Sequence, residues 1–335
     1  MIMRGVSYGP TCIAAGAMGF FGELHEHQKL MGPFKPNLDG SVFVSKTTTF
    51  GARLDPSRGL GIMPMRNDGI TPKEFAPKCI LPNLERKNIA LSWRMFLKGL
   101  MLNTVGLSGP GAKVLFEDGR WQQRTKPFFI SFMTVAKTAE ERIVELKNFV
   151  ALFAKHLPDF KAKVALQINY SCPNVGLNTA HLVEEVTTDL AAAHVLKIPV
   201  TAKFNILVEP RTIWEIARNH HLDGIFISNT IHWNDLPKAG INRQELFGTD
   251  ISPLAEYGGG GLSGAPLLPL VANWIDRARA EGIKKPINAG GGILSRNDLF
   301  VLKEAEADGV SLGCVCTLRP TRVQGIIKTA NHIFR

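Results

Sequence analysis

The stretch Val164-Ala165-Leu166-Gln167-Ile168-Asn169-Tyr170-Ser171-Cys172-Pro173-Asn174 decides the fold, because it opens as an apolar strand and closes on polar chemistry. A nearly continuous apolar run is what a strand covered on both faces requires. Asn169, Ser171, Cys172 and Asn174 then crowd its end. Amides recognise a planar polar ligand by presenting donor and acceptor together, and a thiol before a rigid proline can act as nucleophile or base. A buried cysteine in a turn is the plain alternative. The flanking amides weigh against it.

Seven further runs of the same kind stand around this one: Cys12–Ala15, Val42–Ser45, Pro127–Phe132, Pro199–Phe204, Gly224–Ser228, Pro286–Ala289 and Gly309–Leu312. Between them lie helical patterns. One starts at Thr138, which forms a capping box with Glu141 and leads into the apolar face Ile143, Leu146, Val150, Phe153. Others cover His181–Leu196, Arg211–His220, Pro266–Glu281, Arg296–Glu304 and Pro320–Ile333, with Ser295 and Asp298 as a second capping signal. Eight strands alternating with helices predict an α/β fold, a (β/α)8 TIM barrel formed by residues 1–335 as a single domain. A doubly wound open sheet is the alternative. Two segments exceed a minimal barrel: residues 53–98 after the second strand and 231–262 after the sixth. Long segments on that face of a barrel are lids or binding elements.

Composition bounds the class. The 335 residues are 45% hydrophobic and 20% charged, enough for a large core and incompatible with global disorder. The net charge of +10 invites acidic partners, but no P-loop, Ser–His–Asp set or nucleic-acid motif is present. The odd count of five scattered cysteines argues for a reducing compartment, hence a cytoplasmic protein. The apolar stretch Cys12–Phe21 is broken by Gly16 and Gly19, and no run reaches the roughly 18 apolar residues of a membrane span.

Polar residues end several strands at the same side. Lys46, Lys203, and Asn229 with Thr230 close the second, fifth and sixth, and a lysine pointing into a barrel mouth is costly without a partner. The glycine-rich Ala289-Gly290-Gly291-Gly292-Ile293 and Leu312-Gly313-Cys314 follow the seventh and eighth strands, where barrels bind phosphate. His25 with His27, and His220 with His221, lack a third ligand at metal spacing and are expected to be solvated, so no metal is assigned. Trp93, Trp121 and Trp214 are expected to pack.

These segments resemble the dihydroorotate dehydrogenase family, FMN-dependent barrels of pyrimidine biosynthesis. The resemblance rests on Ala14-Ala15-Gly16, Ser45-Lys46, Asn103-Thr104-Val105-Gly106-Leu107, Asn169 to Asn174, Lys203, Asn229-Thr230, Gly260-Gly261-Leu262-Ser263-Gly264, Gly291-Gly292-Ile293 and Gly313-Cys314, in family order from residue 14 to 314. It implies that Cys172 is the base taking the C5 proton of dihydroorotate while C6 gives hydride to flavin N5. Lys46, Asn103, Gly106, Leu107, Asn169, Asn174, Asn229 and Thr230 would hold the pyrimidine and its carboxylate. Lys203 would lie against the isoalloxazine, helped by Lys46 and Asn169. Ala15, Gly16, Ser131, Ser263 and Gly264 would line the flavin, and Gly291, Gly292, Gly313 and Cys314 its phosphate.

The departures bear on detail. Members commonly carry Thr where Cys314 stands, and the segment between Lys46 and Asn103 is longer than soluble members usually have. Cys at 172, with no helical extension before the first strand, resembles the soluble class rather than the membrane, quinone-using one. No four-cysteine cluster suits an iron–sulfur centre here. The implied partners are dihydroorotate and orotate, a second copy of the chain as a homodimer, and an acceptor left open between fumarate, NAD through a partner subunit, and a quinone. Another dihydropyrimidine, or a phosphate-binding barrel without redox chemistry, are the alternatives.

Overall fold

The computed structural model describes residues 1–54, 63–74, 77–82, 89–170 and 179–335. Eight parallel strands form one sheet: β1 (Thr11–Ile13), β2 (Val42–Phe43), β3 (Phe128–Phe132), β4 (Val164–Asn169), β5 (Val200–Phe204), β6 (Gly224–Ile227), β7 (Ile287–Gly290) and β8 (Gly309–Leu312). Their order is β2-β1-β8-β7-β6-β5-β4-β3. The two ends of that sheet meet. Parallel bridges Val44–Phe129 and Thr48–Phe132 close it into a barrel, and the Ser45 N–H donates to the Phe129 carbonyl at 3.0 Å. The open-sheet alternative is therefore excluded. Each strand lies within one or two residues of its expected run.

All six residues of β4 and all four of β6 are buried, which is why both read as apolar runs with no exposed face. The helix Ala139–His156 shows how the outer layer forms. The Thr138 hydroxyl accepts the Glu141 N–H and the Glu141 carboxylate accepts the Thr138 N–H, so two orphan donors are satisfied at its start. Leu146, Phe149, Val150 and Phe153 then face the barrel, each fully buried aromatic or aliphatic contributing about 1.5–3 kcal/mol. The second capping signal works differently. Asp298 is the first residue of its helix, and its carboxylate accepts the N–H groups of Leu294 and Ser295, both at 2.7 Å.

Among the described residues, the two insertions meet in one sheet rather than forming separate lids. Ile80–Leu81 of the first segment pairs antiparallel with Leu100–Asn103 just after it, Leu100–Asn103 with Gly261–Gly264 at the end of the second, and Gly261–Gly264 with Ile231–His232 at its start, in one four-stranded sheet. Its register sorts side chains by face. The cross-strand row Ile231–Leu262–Leu102–Leu81 is buried in a small core of its own with Trp233 and Met95. The next row, His232–Gly261–Asn103–Ile80, turns the other way and lines the cavity at the barrel mouth. This sheet is the roof of the site.

Of the three tryptophans expected to pack, Trp121 is fully buried and its indole donates to the Phe20 carbonyl at 2.7 Å. Trp93 is 54% exposed. Its helix, Ile89–Lys98, turns only Ser92 and Met95 inward and leaves Trp93 on the outer side.

Candidate active site

Because every strand runs the same way, all eight C-termini open at one end, and the roof sheet covers them. Between barrel and roof lies a cavity of about 810 Å³. Val44 and Phe226 belong both to the barrel's inner core and to the cavity wall, so they mark its floor, together with Gln167 of β4 and Ser311 of β8.

One layer higher stand Lys46, Asn169 and Lys203. Lys46 is 8% exposed, its ammonium donates to the Ser108 carbonyl and lies 4.8 Å from the Phe20 ring centroid. Burial lowers it to about 8, opposed by the charge of Glu23. Lys203 is lowered to about 8 as well, by burial. Two buried amines whose pKa values are lowered to about 8 would be held in their charged form by an anion bound beside them. Asn229, just past β6, donates from Nδ2 to Asn169 Oδ1 at 3.1 Å and accepts the Thr230 N–H at 3.0 Å on its own oxygen. Asn205 in turn donates to the Thr230 carbonyl at 2.7 Å. The amides are therefore held in fixed orientations.

The opposite side is backbone. After β7 the chain turns at Gly291 and Gly292 with φ of +131° and +81°. A Cβ at Gly292 would sit 2.6 Å from the Leu268 nitrogen, so no other residue fits the turn without displacement. Gly313, Cys314, Ala15 and Gly16 complete that wall. Burial pushes the Cys314 thiol up to about 11, so it stands there as a neutral group.

Most sequence candidates thus share one cavity: those named above with Asn103, Gly106, Leu107 and Thr230 from the roof and rim, and Ser263. Two do not reach it. Ser131 is fully buried and shares a hydrogen bond with the Thr47 hydroxyl at 2.9 Å. Gly264 packs against the next strand, where a Cβ would lie 2.0 Å from the Gly99 carbonyl oxygen. Cys172 and Asn174 lie outside the described residues.

His25, expected in solvent, instead lines the cavity, with Nε2 2.8 Å from the Gly16 carbonyl oxygen, and burial lowers its pKa. A search for metal spacing could not have found it. His232 and Gln167 are further cavity residues that sequence reasoning missed. Gln167 stands two residues before Asn169, and the two-residue period of a strand puts both on the same face.

A family model for dihydroorotate dehydrogenase matches residues 94–333. The chain belongs to the dihydroorotate dehydrogenase family. It is 29% identical over 237 residues to the catalytic subunit of dihydroorotate dehydrogenase B (NAD(+)) of Anoxybacillus flavithermus, covering 68% of each chain. It is 30% identical over 222 residues to dihydroorotate dehydrogenase A (fumarate) of Lactobacillus delbrueckii subsp. bulgaricus, covering 64% of this chain and 66% of that relative. These two matches span about two thirds of each relative's length. A B-type catalytic subunit of Cutibacterium acnes is 27% identical over 310 residues, covering 91% of this chain and 82% of its own. The fold matches ligand-free DHODH of Eimeria tenella with a TM-score of 0.66 at 17% identity, over 98% of this chain and 86% of that one. No helix of the described residues is long and apolar enough to cross a membrane.

Proposed function

We propose that the protein oxidises dihydroorotate to orotate with bound FMN, residues 1–335 acting as one catalytic domain. The observation that carries this reading is the convergence of Lys46, Lys203, Asn169 and Asn229 with the Gly291–Gly292 turn on a single cavity. Family members are FMN-dependent flavoenzymes, and this donor set fits that group. A backbone turn that only glycine makes suits a phosphate on one side, and amides with buried amines suit a polar ring edge and a carboxylate on the other.

Bound FMN supplies the acceptor for the hydride that leaves C6 of the substrate. Cys172, as thiolate, takes the proton from C5, so both hydrogens leave and the C5–C6 bond becomes double. Asn169 and Asn229 present oriented amides to the pyrimidine, and Asn103, Gly106, Leu107 and Thr230 close on it from roof and rim. Lys46 and Lys203 place positive charge where the substrate carboxylate and the transferred electrons bring negative charge.

The relatives named for NAD(+) and for fumarate support an acceptor of one of those two kinds, and reoxidation of the reduced flavin by fumarate, NAD(+) or a quinone tests the choice. The thiols of Cys12, Cys79, Cys314 and Cys316 are free, which supports a cytoplasmic setting. A homodimer is part of the same reading, and light scattering in solution tests it. The deciding experiment is anaerobic reduction of the flavin by dihydroorotate, against dihydrouracil and a blank. Bleaching by dihydroorotate alone is expected. A protein that takes up no FMN, or is bleached only by dihydrouracil, overturns the reading. Cys172→Ala should retain FMN and lose bleaching; unchanged bleaching removes the assigned base.

A further inference from the structure

Gln167 lies on the cavity floor, 1% exposed, and its Oε1 is shielded from solvent without a hydrogen-bond partner. Its neighbours in the sheet have nothing to offer it. It is paired with Ser131 on β3 and Thr201 on β5. The Ser131 hydroxyl is engaged with Thr47, and the Thr201 hydroxyl donates to the Leu166 carbonyl at 3.2 Å. Across the barrel, Ser311 donates to Asn288, which itself donates to the Val310 carbonyl at 3.3 Å. Those side chains satisfy one another or the backbone, whereas the Gln167 Oε1 has no partner. Folding has buried it at a cost that a hydrogen-bonding ligand reaching the floor would recover.

Position narrows the ligand's chemistry. In the closed order of strands, β4 stands opposite β8. A molecule whose phosphate lies in the glycine turns after β7 and β8 extends across the mouth toward β4. There the wall carries Gln167 below Asn169, with Lys203 beside them. A primary amide offers a coplanar acceptor and donor, and an imide edge offers the matching N–H and C=O. A hydroxyl chain or an aromatic methyl edge does not.

We propose that Gln167 hydrogen-bonds the imide edge of the isoalloxazine, adding a specific contact to FMN deep in the barrel. This rests on the reading of the site as an FMN site. The pyrimidine substrate carries an imide as well, so the test separates the two. Apo-protein of the wild type and of Gln167→Leu and Gln167→Met is titrated with FMN, following flavin fluorescence, and its melting temperature is measured without ligand. Loaded protein is then titrated with orotate, following the flavin spectrum.

FMN affinity should fall on the order of tenfold in both variants. The apo-protein should melt at the wild-type temperature or higher, because an unpartnered buried amide has been removed. Orotate affinity of the loaded protein should be unchanged. Wild-type FMN affinity in the variants overturns the proposal while leaving the FMN reading intact. Lost orotate affinity with unchanged FMN affinity assigns the amide to the substrate instead and overturns it too. A lower apo melting temperature in both variants shows a structural amide and likewise overturns the proposal. Failure of wild-type protein to bind FMN removes the site reading and this proposal together.

Discussion

Asn229 Nδ2 and Asn169 Oδ1 meet at 3.1 Å, joining the ends of β6 and β4 over Lys203 of the strand between them. Each amide thereby fixes the face the other shows the cavity. Asn169→Ala and Asn229→Ala should each weaken orotate binding to loaded protein by about tenfold. Because the two share a bond, the double variant should lose less than the sum of the singles, by about 1 kcal/mol. Strict additivity in the spectral titration would show that the pair does not act as a unit.

Lys46 and Lys203, both near 8, give ligand affinity a pH limb. Below pH 8 both are charged before an anion binds. Above it the empty site has lost protons that binding must recover, so orotate affinity should fall as pH rises through 8, by up to about tenfold per unit for each lysine. Lys203→Met should flatten that limb. Stability runs the other way: between pH 8 and 10.5 the unfolded chain holds more protons at these lysines, so their share of stability rises with pH. An orotate affinity that is level from pH 7 to 9.5 would contradict the charge assignment.

The Tyr170 hydroxyl, at the end of β4, donates to Asp189 Oδ2 at 3.1 Å, and burial lifts Asp189 to about 7 against the pull of that bond. The folded state therefore holds a proton between pH 3.8 and about 7 that the unfolded chain releases. Stability from this group is full below pH 3.8 and is lost as pH rises to 7, at no more than about 1.4 kcal/mol per unit. Denaturant titrations of Asp189→Asn should lack this slope. An equal slope in wild type and variant would place the proton elsewhere.

The glycine turn separates two alanine substitutions. Gly292→Ala puts a Cβ 2.6 Å from the Leu268 nitrogen at a φ of +81°, and should cost roughly 1–3 kcal/mol as well as FMN affinity. Gly313→Ala meets only the Ala14 Cβ at 3.5 Å, an ordinary contact, and should fold like the wild type. Thermal melting of the two apo-variants checks the contrast.

The barrel was legible because its strands are covered on both faces and its helices carry caps. Val164–Asn169 and Gly224–Ile227 announce themselves by composition alone. The roof was not legible. Ile80–Leu81 and Ile231–His232 are two residues each, too short to show a period, and the central pairing of Leu100–Asn103 with Gly261–Gly264 joins segments far apart in the chain. In the site, residues at strand ends are readable because a charge or amide there breaks an apolar run. His25 gives no such signal, since it comes from the loop after β1 and reaches the cavity only through the fold. Gln167 carries one in its two-residue step from Asn169, but a single amide inside an apolar run does not stand out.

The roof has a consequence for how this chain can diverge. Leu100–Asn103 and Gly261–Gly264 are its two central strands, one following each insertion's outer strand, and each is the other's neighbour. Shortening either insertion would expose an edge in the other and shift Asn103 against the cavity. The two segments thus form one structural part, and a change within residues 80–103 should require a compensating change within 231–264.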